Sequence, residues 1–201
     1  MRCGATTIAC GRTFRVSGGG RSRRRVRARV RLRSPTPVDR KEYLAAMRAS
    51  RGLHRPWLPP PTGEAFDRLL GGVEDERSEP MLVCRVEDGA IVGFFNISQI
   101  VRGPFQSADL GYGAVAAHAG HGYMREGLGL VLARAFTELG LHRLEANIQP
   151  GNDASIALVR GAGFVREGFS ERYLKIGGRW RDHERWAIRA ELWRAGRQRR
   201  G

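Results

Sequence analysis

The sequence lacks the features that define several classes of protein. It contains no run of about 18 consecutive apolar residues, the length that a transmembrane helix requires, so a membrane-spanning helix is excluded. Its three cysteines, Cys3, Cys10 and Cys84, provide neither a disulfide framework nor a zinc-site spacing, and the five histidines show no metal-ligand spacing. We therefore expect no bound metal and a cytoplasmic, reducing location.

Acidic residues are missing from the first 33 positions, which contain eleven arginines. The 201-residue chain carries a formal net charge of +15, which taken alone suggests a nucleic-acid partner. Residues 189–201 add five arginines against one glutamate, whereas residues 34–188 are neutral, with 19 basic and 19 acidic side chains. The charge therefore lies at the two ends of the chain, where we expect at most weak, salt-dependent contact with RNA or the ribosome.

The two charged ends flank one predicted domain. Residues 1–25 lack the apolar core of a secretory signal and contain three consecutive glycines, so they are interpreted as a disordered basic extension. An organelle transit peptide or a nucleic-acid-binding arm is the alternative interpretation of this arginine-rich segment. Residues 26–190 are expected to form the domain, and residues 191–201 a frayed basic tail.

Hydrophobic periodicity within the domain predicts the order β-α-α-β-β-β-α-β-α-β-β. Residues 26–33 alternate apolar side chains with arginine, which predicts a first strand with one buried and one basic face. The predicted helices are 36–51, 64–77, 123–139 and 152–160, and the further strands are 81–86, 91–100, 107–115, 142–149, 165–176 and 179–189. The strand–helix–strand unit of 107–149 should form a right-handed parallel crossover.

A glycine-rich loop, residues 119–127, leads from a predicted strand into a predicted helix. Glycines allow close approach of the backbone to a ligand, and the free N–H groups of a helix start favour an anion such as pyrophosphate. The loop is not a P-loop, because no Gly-Lys-Ser/Thr follows, and Arg125 occupies the third glycine position of a dinucleotide fingerprint. An ordinary helix entry is the alternative.

Together with this loop, five further segments resemble GNAT N-acetyltransferases of the RimJ/RimL type. They are residues 143–155 (RLEANIQPGNDAS), 161–164 (GAGF), 168–169 with 173–174, 178–183 (GRWRDH) and Pro56-Trp57. The resemblance spans about 27–190. It implies an α/β (α+β) fold in one domain, with a mixed, largely antiparallel sheet flanked by helices and a parallel β-α-β crossover at the cofactor site.

The resemblance also implies acetyl-CoA as the acyl donor. The family loop, Arg/Gln-x-x-Gly-x-Gly/Ala, falls on residues 119–124, where Ala119 and Met124 depart from it. Because backbone N–H groups bind the pyrophosphate, these departures leave the assignment in place. Backbone near residues 114–116 is the implied oxyanion donor. The implied cofactor contacts are Ala114, Val115, Ala119, Gly120, His121, Gly122, Tyr123, Met124, Arg125, Asn152 and Ser155.

Two residues are expected to move protons. Many relatives place a tyrosine acid seven positions after the residue equivalent to Asn152, but that position is Val159, so the resemblance implies Ser155 as the proton donor to the thiolate. Ser155 could instead satisfy a backbone group at the helix start. Glu145 is a candidate base acting through water, although an ion pair with Arg143 on the same strand face is the alternative, and Asp109 is a second candidate.

The acceptor is implied to be the N-terminal α-amine of a protein, such as a ribosomal protein. Trp57 and Tyr173 are candidate walls of its binding cleft, and a core residue or a loop anchor is the alternative for each. Trp180, together with residues 181–183, is a candidate hairpin rim that touches the substrate, and a cluster that stabilises the turn is the alternative. Because α-amines have a pKa near 7.7–8.0, they demand only modest help from a base. The alternatives are a small amine acceptor, such as an aminoglycoside or polyamine, and a non-catalytic module that docks on the ribosome or RNA.

Overall fold

A computed structural model of the chain describes residues 28–198. The strands are β1 (Val30–Arg33), β2 (Ser78–Arg85), β3 (Ile91–Val101), β4 (Ser107–Ala114), β5 (Arg143–Ile148), β6 (Val165–Ile176) and β7 (Arg179–Arg189). The helices are α1 (Arg40–Ala49), α2 (Arg51–His54), α3 (Gly63–Gly71), α4 (Tyr123–Ala133), α5 (Asp153–Ala162) and α6 (Ala190–Gln198). The predicted order of elements is confirmed except for two additional helices, the short α2 between α1 and α3 and α6 after β7.

All seven strands form one sheet in the order β1-β2-β3-β4-β5-β7-β6. Every neighbouring pair is antiparallel except β4 and β5, which are parallel and are connected through α4. A parallel pair needs a crossover connection, and an amphipathic helix supplies it here. The expected mixed, largely antiparallel sheet with a parallel crossover is therefore confirmed.

Two apolar clusters hold helices against opposite faces of the sheet. On one face, Tyr43 and Met47 of α1 and Phe66 of α3 pack on Leu82 and Ile91. On the other face, α4 and α5 cover the larger cluster, where Leu128 and Val159 are fully buried. Burying side chains of this size stabilises the fold by about 1.5–3 kcal/mol each. The sheet is thus fixed between helices along most of its width.

The first strand differs from its prediction. Residues 26 and 27 lie outside the described part of the chain, and Ala28, expected on the buried face, is exposed. Val30 is buried, but Arg33 turns inward because its guanidinium contacts the Asp39 carboxylate at 2.5 and 2.7 Å. The ion pair therefore leaves Arg33 only partly exposed, so among the described residues the predicted alternation holds at Val30 and Arg31 but not at Arg33.

Residues 191–198, expected to belong to a frayed basic tail, instead lie in the helix α6. The Trp193 side chain is 8% exposed and packs against Phe136, with the two ring centroids 5.5 Å apart. Arg197 lies over the same indole at 4.9 Å, so a basic side chain covers the apolar contact. The high arginine content of this segment concealed one apolar helix face that docks on the domain.

Helix ends account for the other differences. α3 stops at Gly71, before the predicted end at residue 77, because a turn through Asp75 leads into β2. α4 is followed by a short π-helix, Arg134–Glu138, and the two together cover most of the predicted span of 123–139. Gly140 then ends the helical segment with a positive φ of 64°. Neither difference moves the residues that form the site described next.

Candidate active site

The parallel strands β4 and β5 separate partway along their length. Their register contains three pairs, ending with Asp109 opposite Glu145, although β4 continues to Ala114 and β5 to Ile148. Beyond that point the edges of the two strands no longer bond to each other. An opening in the middle of the sheet follows, and unpaired backbone groups of β4 face it.

Two cavities meet at this opening. The larger, which we call the loop cleft, has a volume of about 410 Å³ and extends from β4 to the glycine-rich loop and α5. The smaller, which we call the strand cavity, has about 140 Å³ and lies among β4, β5, β6 and β7. Both cavities are lined by the same five residues, here called the shared wall: Trp57, Leu58, Tyr112, Asn152 and Ser155.

The glycine-rich loop gives the loop cleft its anion-binding end. Gly120 and Gly122 have φ values of 80° and 78°, a left-handed conformation that glycine adopts without strain. Gly122 is the residue that precedes the first turn of α4, so the helix start and its N–H groups face the cleft. No atom of the described chain lies within 4 Å of a Cβ built on Gly120, which leaves room for a ligand there.

Two arginines flank this loop. Arg125 lines the loop cleft, and within residues 28–198 no acidic side chain forms an ion pair with it. Arg29 binds Glu126 with its Nε at 3.0 Å, donates to the carbonyl oxygen of His121 at 3.1 Å, and lies over the Tyr123 ring at 5.1 Å. Arg29 therefore fixes the loop from outside, while Arg125 offers its charge to the cleft.

The backbone of β4 contributes one donor to the opening. The Val115 N–H donates to Val92 O at 2.8 Å, so Val115 is bonded to β3. Because N–H groups alternate along a strand, the N–H of Ala114 points the other way, toward the opening. The Ala116 N–H is also engaged, since it donates to the Ser50 hydroxyl at 2.8 Å. Among residues 114–116, the N–H of Ala114 is therefore the remaining candidate for the expected oxyanion donor.

His54 is a residue at the site that the sequence did not single out. It is 6% exposed, lines the loop cleft, and its Nε2 donates to the carbonyl oxygen of Ala114 at 2.8 Å. This bond occupies the Ala114 carbonyl on the same strand edge as its N–H. His54 therefore holds the donor peptide in place at the opening.

The shared wall carries two hydroxyl groups. Asn152 begins α5 by accepting the Ser155 N–H on its Oδ1 at 3.2 Å, which leaves the Ser155 hydroxyl free of this capping role. Tyr112 donates a long hydrogen bond of 3.4 Å to the Ser155 carbonyl oxygen, and burial raises the pKa of Tyr112 to about 12. Both hydroxyls thus remain protonated at neutral pH.

Several residues of the wall are positioned by distant elements. The side chain of Gln149, at the end of β5, donates to the carbonyl oxygen of Trp57 at 2.8 Å and so ties the proline-rich loop to the sheet. Trp57 also lies 3.5 Å from a Cβ built on Gly151. The predicted role of Trp57 as a cleft wall agrees with this position against both cavities.

Most predicted cofactor residues come together in the loop cleft, and two do not. Val115 is 4% exposed and belongs to the apolar cluster beneath α1. His121 is exposed, with its Nδ1 2.9 Å from the Ala119 carbonyl oxygen and its ring stacked on Tyr123. The predicted residues that line the cleft are Ala114, Ala119, Gly120, Gly122, Tyr123, Met124, Arg125, Asn152 and Ser155.

Glu145 lies away from both cavities. Its carboxylate accepts hydrogen bonds from Arg143 at 2.8 Å and Arg185 at 2.7 Å. Burial opposes ionisation, but these two cations outweigh it and lower the pKa of Glu145. A carboxylate held this way is a poor proton acceptor, so the alternative of an ion pair with Arg143 describes its position better than the role of base.

The two aromatic residues of the hairpin also lie outside the cavity linings. Tyr173 packs between the Arg185 guanidinium, 4.7 Å from its ring centroid, and the His183 ring. Trp180 is 60% exposed at the hairpin end. The hairpin instead lines the strand cavity with Leu174, Ile176 and His183, of which His183 belongs to the segment 180–183 predicted to form a rim that touches the substrate.

Comparison with known proteins assigns this architecture to a family. The family model described as "Acetyltransferase (GNAT) domain" matches residues 29–165. The chain therefore belongs to the GNAT acetyltransferases. Within residues 28–198 there is no cluster of potential metal ligands and no helix long and apolar enough to cross a membrane.

Individual relatives narrow the comparison further. The chain is 43% identical over 106 residues to a probable N-acetyltransferase YjcK of Bacillus subtilis, covering 53% of this chain and 59% of the relative. It is 36% identical over 111 residues to the ribosomal protein uS5-alanine N-acetyltransferase of Escherichia coli, covering 55% and 57%. The match thus spans less than two thirds of either relative. The structure of Mycobacterium smegmatis RimJ in complex with CoA-disulfide superposes with a TM-score of 0.73 at 30% identity, covering 81% and 82%.

Proposed function

We propose that this protein transfers an acetyl group from acetyl-CoA to the N-terminal α-amine of a protein. The observation that carries the proposal is the meeting of two cavities at the point where β4 and β5 separate. The acyl donor enters from the loop cleft and the amine from the strand cavity. The reacting atoms meet at the shared wall.

The loop cleft has the chemistry that acetyl-CoA requires. Its pyrophosphate binds the N–H groups around Gly120 and Gly122, with Arg125 as the nearby cation. The N–H of Ala114 faces the opening and stabilises the negative charge that develops on the thioester oxygen. The similar structure of Mycobacterium smegmatis RimJ was solved in complex with CoA-disulfide, which supports acetyl-CoA as the donor.

The strand cavity favours a neutral amine over a polycation. Among its lining residues, all within the described part of the chain, none is acidic. A polyamine or aminoglycoside carries several positive charges that need carboxylates, whereas an α-amine with a pKa near 8 is partly neutral at physiological pH. The Escherichia coli relative is named as an N-acetyltransferase of a ribosomal protein uS5 alanine, which supports a ribosomal protein as the partner.

Ser155 is proposed as the proton donor to the departing CoA thiolate. Its hydroxyl belongs to the shared wall, and its N–H is satisfied by Asn152, so the hydroxyl is not needed to cap α5. Tyr112, on the same wall, is the other candidate donor. Substituting each residue separately distinguishes the two.

The test is a panel of peptides incubated with acetyl-CoA and the full chain, analysed by mass spectrometry. Peptides beginning with Ala, Ser, Thr or Met are compared with the same peptides blocked at the N-terminus and with spermidine. We expect acetylation of free N-termini and none of the blocked peptides, even where they contain lysine. Acetylation of spermidine alone would instead support the small-amine alternative.

A further inference from the structure

The strand cavity contains a buried imidazole to which the proposed function has given no role. His183 of β7 is 2% exposed and lines this cavity together with Asn147 and Ser155. Successive strand residues face opposite sides of a sheet, so His183 shares its face with Arg185, whereas Trp186 belongs to the apolar cluster on the other face. His183 is therefore placed on the acceptor side of the sheet.

The hydrogen bond of His183 fixes its tautomer. Its Nδ1 lies 2.9 Å from the carbonyl oxygen of Arg181, and a carbonyl oxygen can only accept, so Nδ1 carries the hydrogen. In the neutral ring the lone pair then belongs to Nε2. Among residues 28–198 no donor is bonded to Nε2, which leaves it available to a ligand in the cavity.

The surroundings keep this ring uncharged. Burial lowers the pKa of His183 below its ordinary 6.5, and the hydrogen bond to the Arg181 carbonyl and the nearby Asp182 charge oppose this only in part. Tyr173 of β6 contacts the ring edge-on, with centroids 6.1 Å apart, and the Arg185 cation lies behind Tyr173. The Asp182 carboxylate is itself engaged by the Arg172 N–H at 2.8 Å.

A second acceptor lies in the same cavity. Asn147 donates its Nδ2 to the Asp109 carboxylate at 3.1 Å, which orients its amide. The Asn147 Oδ1 is buried, and no donor within the described chain reaches it. A neutral amine has two N–H donors and one lone pair. The cavity therefore offers the acceptors that such an amine can use, without an acid that would hold it as an ammonium.

We propose, building on the function above, that Nε2 of His183 accepts the proton that the amine loses as it attacks the acetyl-CoA thioester. The nitrogen lone pair forms the C–N bond, and the electron pair of the C–S bond leaves with sulfur. The displaced N–H proton passes to Nε2, and the thiolate takes up one proton from the shared wall. One proton thus leaves the amine and one reaches CoA.

The experiment measures kcat/KM for an acceptor peptide between pH 5 and 9. Protonation of the peptide amine alone gives a slope of 1 on the acid side of a logarithmic plot. A second group that must be unprotonated raises the slope to 2 below its own pKa. Because the pKa of His183 is lowered from its ordinary 6.5, we expect the wild-type slope to rise from 1 toward 2 at the acid end of this range. A wild-type slope of 1 throughout would overturn the proposal.

His183→Asn separates catalysis from structure, because the Asn amide can still donate to the Arg181 carbonyl. We expect a loss of about 10²-fold to 10⁴-fold in kcat, a slope of 1 at all acid pH values, and unchanged acetyl-CoA affinity by calorimetry. His183→Ala should regain part of its activity when imidazole is added. Wild-type kcat and slope in His183→Asn would contradict the role of His183.

The matched control is His142→Asn. His142 is half exposed and pairs with Glu191 at 3.2 Å, at the end of β5 away from the opening. This variant should keep the wild-type rate and the wild-type rise in slope. The two proposals fail differently: a wild-type protein that acetylates no peptide amine refutes the proposed function, whereas an active His183→Asn variant refutes only the role of His183.

Discussion

The loop cleft and the strand cavity share one wall but are formed in different ways. The loop cleft is made largely of backbone: two glycines with positive φ, the start of α4 and the β4 edge at Ala114. The strand cavity is made of side chains from β4 to β7, including Asn147 and His183. In the proposed function, binding of acetyl-CoA therefore depends on the local backbone conformation of one loop. Binding of the acceptor amine depends instead on how the strands β4 to β7 are paired.

After the loss expected for His183→Asn, the largest effect is expected at the wall that both cavities share. Ser155→Ala should lower kcat about a hundredfold, because a positioned acid is lost, and should leave acetyl-CoA affinity unchanged. Tyr112→Phe is the matched variant on the same wall and should lower kcat much less. Steady-state kinetics and calorimetry check both. The reverse ranking would transfer the role of proton donor to Tyr112.

The next effect isolates the loop cleft. Gly122→Val places a β-branched residue at φ 78°, where the strain of about 1–2 kcal/mol forces the loop away from its binding conformation. We expect acetyl-CoA to bind about fivefold to thirtyfold more weakly by calorimetry, since 1.4 kcal/mol corresponds to tenfold.

Gly129→Ala is the control for Gly122→Val within the same helix. A Cβ built on Gly129 has open space around it, and the residue lies in the interior of α4. The Gly129→Ala variant should therefore bind acetyl-CoA as the wild type does and should slightly stabilise the fold. Equal affinities for Gly122→Val and Gly129→Ala would show that the glycine conformation does not shape the donor site.

A smaller effect concerns the scaffold rather than either cavity. The Arg33 guanidinium and the Thr36 groups lower the pKa of Asp39 to about 2 from its ordinary 3.8. A depressed folded-state pKa contributes stability above pH 3.8 that is lost as the pH falls toward 2. Asp39→Asn should therefore cost about 2 kcal/mol at pH 7 and flatten the acid limb of stability, measured by denaturant unfolding.

The smallest effect on catalysis is expected at Glu145. Because Arg143 and Arg185 hold its carboxylate outside both cavities, Glu145→Gln should change kcat by no more than about twofold, unlike loss of a general base. Its pH profile should match the wild type. A loss of a hundredfold or more would restore Glu145 as the base and remove the reason for a role of His183.

Local signals made much of the fold and the loop cleft predictable. The β6 and β7 bounds match their prediction because Gly177 and Gly178 both adopt positive φ in the turn between them. α5 begins near its predicted start because Asn152 caps it. The glycine-rich loop was also predictable from the sequence, since its glycines, the helix start and most of the predicted cofactor contacts lie within a few consecutive residues.

Contacts between distant segments made the rest unpredictable. Trp193 joins α6 to the domain by packing against Phe136, which is far away in the sequence. The burial of His183 depends on the pairing of β7 with β6 and on the contact with Tyr173. Glu145 is poorly placed for its predicted role because Arg185, on the neighbouring strand, adds a second cation to the one from Arg143. The acceptor side is therefore the part that required the structure.

The most direct test of the account is the affinity of a conjugate that occupies both cavities at once. In this conjugate the CoA sulfur is joined through an acetyl linker to the N-terminal nitrogen of an acceptor peptide. Calorimetry should show binding at least about tenfold tighter than that of acetyl-CoA, because the peptide end adds contacts at high effective concentration. A matching spermine conjugate should gain nothing. A peptide conjugate that binds no tighter than acetyl-CoA would contradict the account.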